Sequence, residues 1–127
     1  MDKHIINTPH APAPIGPYSQ AVKVGNTLYV SGQIGYEPKQ MKWVNESIEK
    51  ETEQVMHNLE AVLNAAKMNF NQVVKVSIFL EDMAHFKEVN TVYGKYFEED
   101  SAPARETVAV NSLPKNVRVE ISLIAVK

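Results

Sequence analysis

Residues 48–66 read IEKETEQVMHNLEAVLNAA, and residues 73–80 read VVKVSIFL. In the first stretch, apolar residues recur at spacings of three and four, which predicts a helix with one buried stripe. The stripe consists of Ile48, Val55, Met56, Leu59, Val62, Leu63 and Ala66. In the second stretch, both faces of an extended chain are largely apolar, which is typical of a strand inside a sheet. A helix packed on a central strand is therefore expected to anchor the fold.

Further strands and a second helix are predicted on either side of this pair. Before the helix, residues 18–24 and 27–31 are strand-like and flank Gly25-Asn26, a two-residue hairpin signal. After the central strand, Asp82 is suited to cap a second helix. The chain then contains two β-rich segments, residues 107–110 and 117–126, separated by a turn-forming run. We expect these last two segments to pair as a hairpin.

The predicted order is two strands, a helix, a strand, a helix and two strands. This order indicates an α+β fold in which both helices cover one face of an antiparallel or mixed sheet. The other face has no remaining element to cover it, so self-association is expected. Four prolines between Pro9 and Pro17 predict an extended arm along the surface. The length is that of one domain, residues 1–127.

Composition excludes several classes of function. The net charge is −2 and the pI is near 6.1, which argues against nucleic-acid or anionic-membrane partners. The chain has no Cys, its N-terminus lacks the apolar core of a signal peptide, and no long apolar segment occurs, so a cytoplasmic location is expected. The four His show no metal-ligand spacing and the Gly residues form no phosphate loop or dinucleotide fingerprint, which disfavours metal binding, hydride transfer and phosphoryl transfer. The charged residues from Glu46 to Glu53 are expected on a solvated surface.

Arg105 is the leading candidate for a functional residue. It is a permanent charge in a run that is otherwise uncharged apart from Glu106. Alternation along a strand places Arg105 and Thr107 on one face and Glu106 on the other. If the last two strands pair with their apolar faces together, Arg105 and Glu120 share a polar face, roughly 7–8 Å apart, and can flank a small molecule. The alternative is an ordinary exposed cross-strand pair, which contributes about 0–1 kcal/mol.

Several short motifs occur in order along the chain. They are IGPYSQA at residues 15–21, SGQI at 31–34, residues 58–66, Val89-Asn90 with Tyr93, Pro103-Ala104-Arg105, Leu113-Pro114 and Glu120. From about residue 11 to the C-terminus, the chain resembles the reactive intermediate deaminase family, Rid, formerly called YjgF. The resemblance implies a chorismate-mutase-like α+β fold and a homotrimer with small-molecule sites between neighbouring subunits. It also implies hydrolysis of 2-iminoacids and enamines to 2-ketoacids and ammonia, without a cofactor.

The resemblance implies a role for each matching residue. Arg105 would grip the substrate carboxylate bidentately, which Lys cannot reproduce. Glu120 would hold or polarise the attacking water. The remaining implied site residues are Tyr18, which contributes its hydroxyl, Ser31, which lines the pocket, Gly32 and Thr107, which offer backbone contacts, and Asn90, a further substrate contact.

The chain departs from the family pattern at three places. Glu106 stands where the family has a small residue, and it competes for Arg105 unless alternation keeps it on the other face. Gly35-Tyr36 replaces a Pro, which leaves the shape of the pocket rim and the preferred imine side chain open. Lys67 replaces a Gly at the end of the first helix, where we expect an effect on stability rather than on chemistry.

Two other functions compete with the deaminase hypothesis. A non-catalytic regulatory protein would bind a 2-ketoacid or an amino acid through the same carboxylate clamp, and Glu120 is the feature that argues against it. RNA cleavage has been attached to some relatives of the family. It would require salt-dependent RNA affinity from a chain of negative net charge that shows no acid–base pair of His.

Overall fold

The computed structural model describes residues 2–127 and contains a six-stranded sheet with both helices packed on one face. The strands are β1 (Lys3–Ile6), β2 (Ala21–Val24), β3 (Thr27–Gln33), β4 (Tyr36–Glu37), β5 (Lys42–Trp43), β6 (Val73–Leu80), β7 (Ala104–Ala109) and β8 (Val119–Val126), and the helices are α1 (Ile48–Ala65) and α2 (Phe86–Tyr93). The large sheet has the order β1-β2-β3-β8-β6-β7, and β4 pairs separately with β5. All neighbouring strands of the large sheet are antiparallel except β6 and β7. The predicted α+β fold is confirmed.

Helix α1 follows the predicted apolar stripe and packs it against the sheet. The helix begins at Ser47, whose hydroxyl accepts the Lys50 N–H at 3.1 Å. Its buried positions include Val55, Met56 and Leu59, none of which is accessible to solvent. No helix within residues 2–127 is long and apolar enough to cross a lipid bilayer.

Helix α1 ends in a Schellman motif. The Lys67 N–H donates to the Asn64 carbonyl and the Met68 N–H to the Leu63 carbonyl, both at 2.9 Å. Leu63 and Met68 are both buried, as the motif favours. Lys67 itself has φ of +59°, a left-handed conformation that Gly adopts without steric cost.

We expect Lys67→Gly to stabilise the fold by about 0.5–1 kcal/mol, because it relieves the left-handed strain at this position. Urea denaturation measures the change in the free energy of unfolding. Glu60→Gly, at an exposed position inside the same helix, is the matched control and should destabilise by about 0.5 kcal/mol. A stability equal to or below that of the wild type in Lys67→Gly would contradict this account.

The first hairpin forms where the sequence predicts it. Val24 pairs with Thr27 across Gly25-Asn26, and Gly25 has φ of +59°. The paired strand begins only at Ala21, so residues 18–20 lie outside it. The register places Leu28 and Val30 of β3 in the core under the helices.

The N-terminal arm contains a β-strand that the sequence did not predict. Residues Lys3–Ile6 form the edge strand β1, which the polar sequence did not reveal. The Pro-rich stretch that follows is irregular, as predicted, and the Gln20 side chain holds it to the sheet. The Gln20 carboxamide accepts the Thr8 N–H at 2.7 Å and donates to the Thr8 and Pro12 carbonyls at 3.0 and 2.9 Å.

The predicted hairpin of the last two strands is wrong. Strand β7 pairs with β6 in parallel and forms an edge of the sheet, while β8 lies between β3 and β6. Because α2 connects β6 to β7, the chain returns in the direction of β6, as a strand–helix–strand unit requires. The more continuous apolar pattern of β8 suits a position with neighbours on both sides, whereas several residues of β7 are exposed.

Candidate functional site

Glu120 lies on the open face of the sheet, opposite the helices. Its neighbours Val119 and Ile121 are buried under the helices, so alternation directs Glu120 away from them. The register of β3 shifts between Val30 and Gln33, and Gly32 lies within this bulge. A Cβ added to Gly32 would overlap the Glu120 carboxylate. The carboxylate therefore rests directly against the backbone of the bulge.

The Glu120 carboxyl group is partly removed from water without a compensating charge. Burial raises the pKa of Glu120 above its ordinary value. A carboxylate whose pKa is raised by desolvation is a candidate general base, because it binds a proton more readily than an exposed one.

The bulge also ties Ser31 to the segment that precedes β2. The Ser31 hydroxyl donates to the Ser19 carbonyl at 2.6 Å, and the Ser31 N–H donates to the Gln20 carbonyl at 2.9 Å. Tyr18 is next to Ser19 in the chain, and 54% of its surface is exposed. Its hydroxyl accepts the Ile15 N–H at 3.3 Å. The structure thus brings Ser31 and Gly32 together with Glu120 and holds the Tyr18 segment beside them.

Arg105 lies on the other face of the sheet, against α2. It pairs with Val76 of β6, whose side chain is buried under the helices. The Arg105 NH1 group donates to Asn90 Oδ1 at 2.7 Å. The guanidinium carbon lies 4.9 Å from the centre of the Tyr93 ring and 5.7 Å from that of Phe86. The guanidinium is therefore held between one amide and two aromatic rings.

Thr107 shares the helix-facing side of β7 with Arg105, because it pairs with the buried Ile78. Its hydroxyl is buried and has no hydrogen-bond partner within residues 2–127. The structure therefore brings Arg105, Asn90 and Thr107 together at the edge of the sheet.

The prediction that Arg105 and Glu120 share a face is wrong. The register pairs Arg105 with Val76 and Glu120 with Phe79, on opposite faces of β6. Two strand spacings of about 4.8 Å and three residues of about 3.3 Å separate their Cα atoms by roughly 14 Å. The error follows from the assumed hairpin, because β6 lies between β7 and β8 in the sheet. The same register rules out the alternative of a direct cross-strand ion pair.

Glu106 does not compete for Arg105. It lies on the open face, where it pairs with Lys75 at 2.9 Å and accepts a hydrogen bond from the Ser77 hydroxyl. The Ser77 hydrogen bond, followed by the contact with Lys75, lowers the pKa of Glu106. The alternation predicted for Arg105 and Glu106 is confirmed.

Sequence reasoning missed a buried ion pair between α1 and the start of β8. Glu51 was expected on a solvated surface, but only 2% of it is exposed. Its carboxylate accepts from Arg118 Nε at 2.7 Å and from the Arg118 N–H at 2.8 Å. Gly35 belongs to the same contact, because a Cβ there would lie 2.8 Å from Glu51 Cγ. The pairing of charges 67 residues apart leaves no local signal in the sequence.

Two clefts of the isolated chain lie away from Arg105 and Glu120. A cleft of about 550 Å³ borders the ion pair and is lined by residues that include Trp43, Glu51 and Arg118. Another, of about 600 Å³, lies beside His4 and Lys67. Within residues 2–127, no group of three or more His, Asp or Glu side chains is arranged to hold a metal ion.

Comparison with known proteins extends over almost the whole chain. The family model described as Endoribonuclease L-PSP matches residues 8–127. A 2-iminobutanoate/2-iminopropanoate deaminase of Dermatophagoides farinae is 48% identical over 124 residues, which are 98% of this chain and 96% of that protein.

Two solved structures are similar in fold and in sequence. RidA from an Antarctic Psychrobacter bacterium has a TM-score of 0.92 and 43% identity, over 98% of this chain and 99% of that one. Escherichia coli TdcF with bound serine has a TM-score of 0.91 and 35% identity, over 98% of each chain. The match to the family model and these likenesses show that the chain belongs to the RidA/YjgF family, whose model is described as Endoribonuclease L-PSP.

Proposed function

We propose that this protein is a deaminase that hydrolyses reactive 2-iminoacids and enamines, such as 2-aminoacrylate, 2-iminobutanoate and 2-iminopropanoate, to 2-ketoacids and ammonia. The observation that carries the proposal is that the chain presents two complementary groups in two separate parts of a site. One holds a partly buried carboxylate of raised pKa, Glu120, and the other holds a guanidinium, Arg105, fixed by α2. The similarity to the Dermatophagoides farinae deaminase supports the same activity.

We infer that the complete site forms between two copies of the chain. A three-carbon iminoacid spans only a few ångströms, whereas the Cα atoms of Arg105 and Glu120 are roughly 14 Å apart in one chain, on opposite faces. A neighbouring copy can bring its open face, with Glu120, to the sheet edge that carries Arg105. A homotrimer closes this arrangement with three equivalent sites. The open face has apolar side chains to bury in such an assembly: Val22, Tyr29, Phe79, Val108 and Ile124.

The proposed reaction begins when Arg105 binds the substrate carboxylate through two N–H groups. Water adds to the imine carbon as the Glu120 carboxylate takes one of its protons, and that proton then passes to the nitrogen. The carbinolamine hydroxyl then gives up its remaining proton, which Glu120 passes to the amino group, and the C–N bond breaks to leave the ketone and ammonia, with one water consumed. An enamine first takes up a proton on carbon and releases one from nitrogen, which gives the imine. Since an imine is already electrophilic, positioning and proton transfer suffice without a covalent nucleophile.

The other proposed site residues complete the pocket around these two. Tyr18 and Ser31 would line it beside Glu120, and Gly32 would offer its backbone there. Thr107 would offer its backbone on the Arg105 side, where Asn90 also lies. The backbone roles suit Gly32 in particular, since a side chain at that position would meet the Glu120 carboxylate.

Ammonia or 2-ketoacid release tests the activity directly. The substrates 2-iminobutanoate and 2-iminopropanoate are generated in situ by a threonine/serine dehydratase, with and without the protein. Acceleration by the wild type supports the deaminase. A folded protein that binds 2-oxobutanoate but does not accelerate release would instead be the non-catalytic regulator, a candidate favoured by the similarity to TdcF with bound serine.

Mixing two inactive variants tests the shared site. Arg105→Ala and Glu120→Gln homo-oligomers are unfolded together, refolded and assayed. If each site takes Arg105 from one chain and Glu120 from its neighbour, random assembly leaves about one quarter of the sites intact, since each half is intact with a probability of about one half. The mixture should recover up to about one quarter of wild-type activity. No recovery in correctly assembled mixtures would place both residues in a site within one chain.

Gly32→Ala is expected to lower kcat/KM by at least about tenfold with little loss of stability. The added Cβ would meet the end of the flexible Glu120 side chain, which can move aside, so the fold tolerates the change while the carboxylate leaves its place. Steady-state kinetics and thermal unfolding measure the two effects. Gly94→Ala is the matched control, because a Cβ at Gly94 meets nothing within 4 Å. Wild-type kinetics in Gly32→Ala would contradict the proposed place of Glu120.

A further inference from the structure

One face of α2 meets the Arg105 guanidinium. Phe86, Asn90 and Tyr93 follow one another at spacings of four and three, which places them on the same side of a helix. Asn90 accepts from Arg105 NH1 at 2.7 Å, and the Tyr93 and Phe86 rings lie 4.9 and 5.7 Å from the guanidinium carbon. Strand β7 is an edge strand, so within residues 2–127 the side of β7 away from β6 has no neighbouring strand.

We propose that Asn90 and Tyr93 are positioning residues that hold the Arg105 guanidinium in one orientation, and that Asn90 does not itself contact the substrate. This inference rests on the proposed function in taking Arg105 as the carboxylate-binding group. It assigns to Asn90 a different role from the substrate contact that the family resemblance implies. It also gives a role to Tyr93, which has none in the proposed reaction.

The contacts with α2 leave a defined part of the guanidinium free. Arg carries five N–H donors in a planar fork, and Asn90 occupies NH1. The Tyr93 ring lies over the guanidinium carbon, so a carboxylate approaches in the plane rather than from that side. The Nε and NH2 donors then remain as a pair for two carboxylate oxygens. A guanidinium that is already oriented loses less side-chain freedom when a ligand binds, so binding is tighter.

Substitutions at Tyr93 distinguish a role in positioning Arg105 from an effect on stability. Only 6% of the residue is exposed, and its hydroxyl has no hydrogen-bond partner in the described part of the chain. Burial raises the pKa of Tyr93, while the positive charge of Arg105 and its approach as a donor to the hydroxyl, short of a well-formed hydrogen bond, act in the opposite direction, as expected for groups in contact. An unpaired buried hydroxyl destabilises a fold, whereas the aromatic ring supplies the contact with the guanidinium. Phe should therefore retain the positioning role and raise the stability.

The test combines the dissociation constant for 2-oxobutanoate, measured by calorimetry, with KM and kcat for 2-iminobutanoate. We expect Asn90→Ala and Tyr93→Leu to raise the dissociation constant and KM about tenfold while kcat changes less than about twofold. Tyr93→Phe should stay within about twofold of the wild type in binding and unfold at a higher temperature. Thr91→Ala, on the same helix, and Tyr96→Phe, in the neighbouring aromatic cluster, are matched controls and should bind like the wild type.

A double-mutant cycle distinguishes positioning from direct contact. If Asn90 acts through Arg105, Asn90→Ala has no further effect on binding in an Arg105→Ala background. A further loss there would show that Asn90 touches the ligand and would overturn the proposal. Unchanged binding in folded Asn90→Ala would overturn it as well, without relying on the more buried Tyr93.

Binding and turnover by the wild type, measured together with the variants, distinguish a failure of the deaminase proposal from a failure of the positioning proposal. Binding of 2-oxobutanoate without turnover, with the expected variant pattern, would reject the deaminase and retain the positioning role. Turnover with unaltered binding in Asn90→Ala and Tyr93→Leu would retain the deaminase and reject the positioning role. A wild type that does not bind 2-oxobutanoate would reject the positioning role together with the carboxylate clamp on which it rests.

Discussion

Arg105→Ala is expected to lower kcat/KM for 2-iminobutanoate by roughly 100-fold or more, mainly through KM. Removing one partner of a hydrogen-bonded charge pair costs about 2–5 kcal/mol, and about 1.4 kcal/mol corresponds to tenfold. The structure fixes one end of the guanidinium on Asn90, and the proposed clamp uses its remaining donors. Steady-state kinetics with the dehydratase-coupled assay measure the loss.

Arg105→Lys separates charge from geometry. Lys keeps the positive charge but has no planar fork, so we expect an activity between those of the wild type and Arg105→Ala. Lys87→Ala, which removes an exposed cation on α2, is the matched control and should leave kinetics unchanged. Wild-type kinetics in a folded Arg105→Ala protein would be incompatible with a carboxylate clamp at this residue.

Glu120→Gln is expected to lower kcat about 100-fold or more, with a smaller effect on KM. General base catalysis typically contributes about 10²–10⁴-fold, and an amide of the same size cannot take the proton from water. Glu106→Gln is the matched control, since Glu106 is an open-face carboxylate engaged by Lys75 and Ser77. Retention of wild-type kcat in Glu120→Gln would leave the proposed water activation without its base.

The raised pKa of Glu120 gives this prediction a pH signature. The proposed base acts as the carboxylate, so wild-type kcat should fall as the pH drops through the raised pKa, above the range of an exposed carboxyl group. Glu120→Gln should lose this acidic limb from its remaining activity. A pH profile measured between about pH 4 and 9 covers the window of a raised carboxyl pKa.

The raised pKa of Glu120 also predicts a pH dependence of stability. Its contribution to stability should fall as the pH rises, whereas kcat should rise. Burial disfavours the ionised form, so the pKa of Glu120 is higher in the folded than in the unfolded chain. The unfolded chain loses this proton first, and the contribution of Glu120 to stability falls as pH rises from the unfolded to the folded pKa. At neutral pH, Glu120→Gln should therefore unfold at a higher temperature than the wild type, which thermal unfolding can check.

Local patterns in the sequence predicted those elements whose signals are local. The apolar stripe of α1 and the Gly25-Asn26 turn depend on residues a few positions apart, and the structure contains both. Asp82 accepts the Ala84 N–H, but it caps the short 3₁₀ turn that leads into α2 and not α2 itself. By contrast, β1 was missed because an edge strand pairs on one side only and needs no continuous apolar pattern. The Glu51 and Arg118 pair was missed because its members are distant in sequence.

For the site as well, local patterns predicted some features, and others depended on the tertiary structure. Alternation within β7 correctly separated Arg105 from Glu106, and the motifs along the chain pointed to the family. The relation between Arg105 and Glu120 required the neighbours of each strand, and the assumed hairpin supplied the wrong ones. The aromatic and amide contacts of Arg105 with α2 also depend on how β7 lies against that helix.

By itself, the sequence determined the two helices, the first hairpin, the α+β class and which side chains share a face of their own strand, because these follow from spacings along the chain. Only the tertiary structure decided that β8 lies inside the sheet and that β7 is a parallel edge strand. That choice turns Arg105 toward α2 and Glu120 toward the open face. Alternation is compatible with any neighbouring strand, and the pairing is decided by burial across the whole sheet.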